Sequence, residues 1–196
     1  MNAALLALMG YAIGSIPFSF LVARLFGVKD VRTVGSGNVG ATNVMRSAGK
    51  VPGILALVLD GLKGAGTVWI ARAFSSSEAE ICLAGLFAVI GHLFPVWLGF
   101  QGGKGVATGA GLFIPLAPGA LGAAIHVFVI TLAAARYVSL ASILASLTLP
   151  VAAHFLGAGP TVSLTALVAA LMVVAKHHAN IARLARGVEP KLGARR

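Results

Sequence analysis

Residues 106–134, VATGAGLFIPLAPGALGAAIHVFVITLAA, decide the fold of this chain. The run is almost wholly apolar and exceeds the ~20 residues that one helical span needs. Pro115, Pro118 and Gly119 fall near its middle. Proline lacks an N–H and clashes with the preceding turn, so a helix bends or stops there. The run is either one kinked span or two short ones. Working outward, further apolar runs occupy 3–22, 51–74, 81–100, 138–156 and 160–175. Charge chooses between the readings, because cytoplasmic loops collect Lys and Arg. On that rule the segment holding Arg24, Lys29, Arg32, Arg46 and Lys50 is cytoplasmic, and the N-terminus is outside. The turn with Glu78 and Glu80 is then outside and Lys104 inside. One span across 106–134 would send Arg136 outside, and with it a tail carrying Lys176, Arg183, Arg186, Lys191, Arg195 and Arg196. Two spans return both to the cytoplasm. The expected fold is an all-α integral membrane protein with seven transmembrane helices, N-terminus outside and C-terminus cytoplasmic. Some spans are short, because the two halves of the split run hold only ~12–16 residues, or ~18–24 Å. Such helices tilt, or are shielded by neighbours.

Composition agrees with lipid as the solvent. The chain has 196 residues, of which 58% are hydrophobic and 10% charged. Soluble domains carry about 25% charged residues. One membrane-embedded domain is expected over 1–196. The first apolar run is read as a span and not a signal peptide, since no basic residue precedes Arg24. The net charge of +10 suits an anionic leaflet or anionic substrates. Nucleic acid is excluded as a partner, because no basic helix stands apart from the apolar runs. Cys82 is the single cysteine, lies inside an apolar run, and reads as a packing residue. The histidines are scattered apart from His177 and His178, and neither HExxH nor CxxC occurs. No metal site and no cofactor are expected.

Three polar blocks interrupt the apolar runs, and the parity above puts all three on the cytoplasmic side. The first, GSGNVGATN at 35–43 with Arg46 behind it, offers Ser36, Thr42, Asn38 and Asn43. Its glycines permit turns that aim successive N–H groups into an anion nest. The alternative is a plain Gly/Asn turn between helices. The second, GGKGVAT at 102–108, places Lys104 among Gly102, Gly103 and Gly105. It is not a Walker loop, which needs GxxxxGK[ST] between a strand and a helix. Backbone N–H groups, a lysine and a helix N-terminus still suit an anion. The third, KHHANIAR at 176–183, ends the last run. If it stays helical, Lys176, Asn180, Arg183 and Gly187 share one stripe, with His177 one turn from Asn180. A basic membrane-exit segment whose side chains snorkel would explain Arg183 and Arg186, but not Asn180 and His177. Within the spans, Asp60 and Lys63 are one turn apart and can pair. His92, His126 and His154 suit hydrogen bonds inside the bundle. Ser139 and Ser142 either meet a ligand or bond to backbone.

These blocks, in this order, resemble the PlsY family, the bacterial membrane acyl-phosphate:glycerol-3-phosphate acyltransferases. The resemblance covers almost the whole chain. GSGNVGATN, GFQGGKGVAT and KHHANIARLARGVE match the three family motifs, supported by LDGLKG at 59–64, GHLFP at 91–95 and RYVSLAS at 136–142. The resemblance implies a seven-helix enzyme of the bacterial inner membrane with its active site facing the cytoplasm. It implies transfer of a fatty acyl group from acyl phosphate to the sn-1 hydroxyl of glycerol 3-phosphate, giving lysophosphatidic acid and phosphate, the first step of phospholipid synthesis. Position by position, it makes His177, Asn180 and Lys104 catalytic. Ser36, Asn38, Thr42, Asn43, Arg46, Gly102, Gly103, Gly105 and Ser142 become substrate-binding. Arg183 and Glu189 stand behind the third motif, and His178 occupies a spacer position. The partners are the two phosphate substrates and membrane lipid, with a soluble acyl-phosphate synthase as a further candidate for the basic face.

The chemistry agrees without the family. Acyl phosphate is a mixed anhydride and already activated, so cations that neutralise the leaving phosphate suffice. Neither a Ser-His-Asp pattern nor an HxxxxD arrangement is present. The proton of the attacking hydroxyl goes either to His177 or to a phosphate oxygen of a substrate. A transporter would need polar sites at both faces, and no internal repeat is visible. A metal-dependent phospholipid synthase would need an Asp-rich motif, whereas Asp30 and Asp60 are the only aspartates. Chelator-treated protein should therefore keep its rate of acyl transfer. A large loss restored by Mg²⁺ in a transfer assay would contradict purely cationic stabilisation.

Overall fold

Pro115 and Pro118 end one helix and begin the next, as the sequence predicts for the long apolar run. In the computed structural model, which describes residues 1–193, helix α6 spans Val106–Leu116 and α7 spans Pro118–Ala135. Pro118 sits in the first turn of α7, where a missing N–H costs nothing. The same break separates two compact units, Met1–Leu116 and a second that starts at Ala117. Arg195 and Arg196 of the basic tail lie outside the described residues.

The first unit also contains α1 (Ala3–Ser15), α2 (Phe18–Leu25), α3 (Ala41–Ala48), α4 (Lys50–Phe74) and α5 (Glu78–Leu93). Asn2 caps α1 by accepting the Leu5 N–H at 3.0 Å. Pro17 interrupts the path from α1 to α2, which together form one apolar stretch from Ala3 to Leu25. Lipid supplies no hydrophobic drive between helices, so packing depends on close backbone approach at small residues. A side chain at Gly10 or Gly14 of α1 would collide with the carbonyl of Ala84 or Ala88 in α5. Short α6 is pressed against α4 in the same way, Gly64 against the Thr108 carbonyl and Gly111 against that of Gly61. At one end of the unit Val22, Ala23, Val31, Val39, Val44, Ala56 and Leu98 form an apolar cluster. It seats the first polar block on α2, α3 and α4.

In the second unit α7, α8 (Val138–Phe155) and α9 (Pro160–Lys176) pack successively, and α10 (His178–Ala185) follows. Along α7 only Ala120 and Ala124 are buried, while Ile125, Val129 and Ile130 are exposed, as a lipid-facing helix requires.

The described residues form helices without strands, and five helical stretches are long and apolar enough to cross a membrane. A sixth arises if α9 and α10 count as one span. With 11 residues, α6 is shorter than these. Its contribution of a seventh crossing is an expectation that labelling can test. With Cys82 replaced by serine, single cysteines at Ser76 and Gly193 should react with an impermeant maleimide from opposite sides of the membrane. Reaction of both from one side would refute the seven-span arrangement.

Candidate active site

The first polar block folds around one side chain. Asn43, at the start of α3, is 1% exposed. Its Oδ1 accepts the Ser36 N–H at 2.9 Å, and its Nδ2 donates to the carbonyls of Val31 at 2.8 Å and Val34 at 3.0 Å. Gly35 and Gly37, at φ of 60° and 71°, let the chain turn tightly enough for this. The N–H groups of Gly37 and Gly40 donate to Val34 and Asn38 at 3.0 Å each. The block thus differs from the expected nest, because the N–H groups of Ser36, Gly37 and Gly40 serve the loop itself. A buried amide and a tight loop must satisfy each other before any ligand arrives. What the block leaves at the surface is Ser36 and Arg46, both exposed, with Asn38 and Thr42 half-buried.

The second block leads into α6. Lys104 is half-buried and lies two residues ahead of the helix. Gly105, at φ 81°, turns the chain, and its carbonyl accepts the Gly109 N–H at 2.7 Å. Gly103 is buried, and its N–H donates to the His92 carbonyl at 3.1 Å. A side chain there would strike the His92 ring and the Val39 carbonyl, and one at Gly102 would strike the His92 carbonyl. These two glycines are therefore required by close packing. The contact also joins the first two blocks, through Val39 and Gly103.

Beneath that contact lies the charge pair that the sequence suggests. Asp60 and Lys63 face each other on α4 at 2.9 Å, each side chain 2% exposed. Ser19 Oγ donates to Asp60 Oδ2 at 2.6 Å, and Lys63 Nζ donates to the Ile16 carbonyl at 2.8 Å.

The third block is built in the second unit, and there the helix does not continue. α9 ends at Lys176, α10 begins at His178, and the axes differ by 59°. His177 at the junction has φ −95° and ψ 7°, and its N–H returns to the Val174 carbonyl at 2.9 Å, closing a turn tighter than an α-turn. The expected stripe is therefore divided, with Lys176 on one helix and Asn180 and Arg183 on the other. A carboxylate reunites part of it. Glu189 Oε1 accepts Asn180 Nδ2 at 2.6 Å and Ser139 Oγ at 2.7 Å, while Oε2 accepts Arg183 Nε at 2.7 Å. Burial alone would raise the Glu189 pKa. The donors Ser139, Asn180 and Arg183 outweigh it and hold the group below its ordinary 4.5. Ser142 Oγ donates to the Val138 carbonyl at 2.8 Å, so Ser139, not Ser142, makes the side-chain link. Arg136 and Leu192 add a further tie, from Leu192 N–H to the Arg136 carbonyl at 2.7 Å and from the Arg136 guanidinium to the Leu192 carbonyl at 2.9 Å. His177 is 2% exposed with Nδ1 2.7 Å from the Val173 carbonyl, whereas His178 is exposed. Sequence reasoning underrated Glu189, whose contact with Ser139 spans 50 positions, although the E of RLARGVE is a signal.

Helices with apolar outer faces, carrying glycine-rich and basic blocks at their ends, define a polytopic membrane protein suited to anionic substrates. The chain belongs to the glycerol-3-phosphate acyltransferase family, whose model matches residues 4–187. It is 48% identical to the glycerol-3-phosphate acyltransferase of Jannaschia sp. (strain CCS1) over 189 residues, covering 96% of this chain and 92% of the relative. It is 47% identical to that of Brucella suis over the same shares. The crystal structure of PlsY, an integral membrane glycerol 3-phosphate acyltransferase, in its glycerol 3-phosphate form superposes with a TM-score of 0.92 at 40% identity, covering 98% of this chain and 96% of that one. The lysophosphatidic acid form gives 0.91 at 38%, with the same coverage.

The Glu189 cluster has a pH signature. A carboxyl whose pKa is depressed by folding adds stability above its unfolded value and loses it as pH falls through the folded one. Glu189→Gln should lower the thermal midpoint at pH 7 by the equivalent of ~1.5–3 kcal/mol, the usual worth of a hydrogen bond to a charged group. That deficit should shrink as pH falls below 4.5. A deficit independent of pH in thermal melts would show that the charge of Glu189 contributes nothing.

Proposed function

We propose that this chain transfers a fatty acyl group from acyl phosphate to the sn-1 hydroxyl of glycerol 3-phosphate. The products are lysophosphatidic acid and inorganic phosphate. The whole chain acts as one membrane-embedded domain with seven crossings, N-terminus outside, in the bacterial inner membrane. Each of its three blocks faces the cytoplasm. The observation that carries the reading is the pair of basic side chains Arg46 and Lys104, on blocks joined at Val39 and Gly103, in a chain so similar to PlsY.

The hydroxyl oxygen attacks the carbonyl carbon of the acyl phosphate. The bond from that carbon to the phosphate oxygen breaks, and the phosphate leaves with the electron pair. Two anionic substrates must approach each other, and Arg46 and Lys104 offset their repulsion and the charge that builds on the leaving oxygen. Ser36, Asn38 and Thr42 supply polar groups to the phosphates, while Asn43 holds the loop that presents them. In the third block a carbonyl can only accept, so the short contact to Val173 makes His177 Nδ1 the donor. In a neutral ring Nε2 then carries the lone pair. The hydroxyl proton goes to that nitrogen or to a phosphate oxygen of a substrate, with Asn180 orienting the hydroxyl. A soluble acyl-phosphate synthase would deliver its product to the basic cytoplasmic loops.

Variants separate these roles. Lys104→Ala should raise KM and lower kcat, with a rate loss of ~10²–10³-fold. His177→Ala should lower kcat by ~10²–10⁴-fold with little change in the KM for glycerol 3-phosphate. His178→Ala should stay near wild type. An inactive His178→Ala beside an active His177→Ala, in steady-state assays, would overturn the assignment of the third block. A large loss in His177→Ala with an unaltered pH–rate profile would make a phosphate oxygen the base.

A further inference from the structure

Heavily buried titratable groups of the first unit lie directly under the contact between its two polar blocks. Asp60 is 2% exposed, Lys63 5% and His92 7%. In a bilayer protein such charges are retained only where they serve the site or are fully matched. Here they are matched from several elements. The Ile16 carbonyl reaches in from the break between α1 and α2, Ser19 from the first turn of α2, Asp60 and Lys63 from α4, and His92 from the end of α5. His92 Nδ1 lies 3.6 Å from Asp60 Oδ1. They line a small cavity that also touches Ser15, Val39, Gly102 and Gly103. Ser15 Oγ, wholly buried, has no protein partner there, and the cavity has room for about one water.

His92 is the link from these charges to the loops. Its backbone carbonyl accepts the Gly103 N–H, and its ring sits where a side chain on Gly103 would be. The Val39 carbonyl of the first block closes the same spot. Gly103 is thus fixed from both sides, and Lys104 is the next residue. We propose that His92, anchored by Asp60 and Lys63, is a positioning residue that sets the second block against the first and so places Lys104 for substrate phosphate. The proposal rests on the reading that Lys104 meets phosphate. His92 is assigned no contact with substrate in this role. It acts through the backbone of Gly103, and the ion pair keeps the imidazole from rotating away. An apolar core of equal volume could stabilise the helices as well, but it would not direct a ring at this loop.

The test uses full-length protein in lipid nanodiscs and two routes to the same lesion. His92→Gln removes the ring. Asp60→Asn with Lys63→Met removes both charges together, leaving neither unpaired. Each variant is melted, its backbone amide exchange is followed, and KM and kcat are measured with acyl phosphate and glycerol 3-phosphate varied in turn. The arm in which KM rises identifies whose phosphate Lys104 meets. In folded variants Gly103–Gly105 should lose protection while α4 and α5 keep theirs. KM for one phosphate substrate should rise by up to ~10²-fold, the effect of a misplacement of about 1 Å. In a Lys104→Ala background His92→Gln should change that KM by no more than about twofold, because both act through one side chain. A full repeat of the loss in that background, or unchanged exchange at Gly103, would overturn the proposal. Should His92→Gln fail to fold, a charge-free pair with wild-type KM and exchange would overturn it equally. If instead Gly103 loses protection but Lys104→Ala alone is fully active, the role given to Lys104 fails, and the contact of His92 with the loop stands.

Discussion

Hydrocarbon offers no partner to an unsatisfied N–H or carbonyl, so backbone that leaves a helix must do so where helices end or where protein covers it. The arrangement of the polar blocks follows from this constraint. Residues 35–40 lie between α2 and α3 and 41–43 open α3, Gly102–Gly105 lies between α5 and α6, and His177 lies at the α9–α10 junction. Each block then satisfies itself before it can serve a ligand. Asn43 takes up one donor of the first block and two carbonyls just ahead of it, His92 holds the second, and Glu189 gathers three donors around the third. Backbone outside the helices is held by the buried side chains of Asn43, His92 and Glu189.

That division bears on chemistry. An acyl phosphate needs little activation, and the barrier lies mainly in bringing two anions together and dispersing charge on the leaving phosphate. Preorganised cations act best when they need not move during reaction, and rigid loops supply that. The chain has five acidic residues. Asp60 and Glu189 hold basic and polar groups in place.

Much of the fold was legible because membranes impose simple rules. The prolines at 115 and 118 announced the α6–α7 break, and one-turn spacing announced the Asp60–Lys63 pair. The spacer position of His178 agrees with its exposure. The α9–α10 bend was hidden, since neither proline nor glycine marks it and the local pattern suits a continuous helix. In sequence an amide such as Asn43 or a glycine such as Gly103 in a polar loop looks the same whether it meets substrate or neighbouring backbone, and the bond from Asn43 to Val31 and the crowding of Gly103 by His92 are visible only in the fold. The Ser139–Glu189 bond joins residues far apart in sequence, which local pattern does not encode.

The central claim is that a preformed cationic site acts on an already activated donor. The most direct measurement is acyl transfer to glycerol 3-phosphate by the purified protein in lipid, with acyl phosphate and acyl-CoA of equal chain length supplied side by side. The account predicts lysophosphatidic acid and an equal amount of phosphate from acyl phosphate, and no product from the thioester. Comparable turnover with acyl-CoA would contradict it, because a departing thiolate gives Arg46 and Lys104 no leaving phosphate to neutralise.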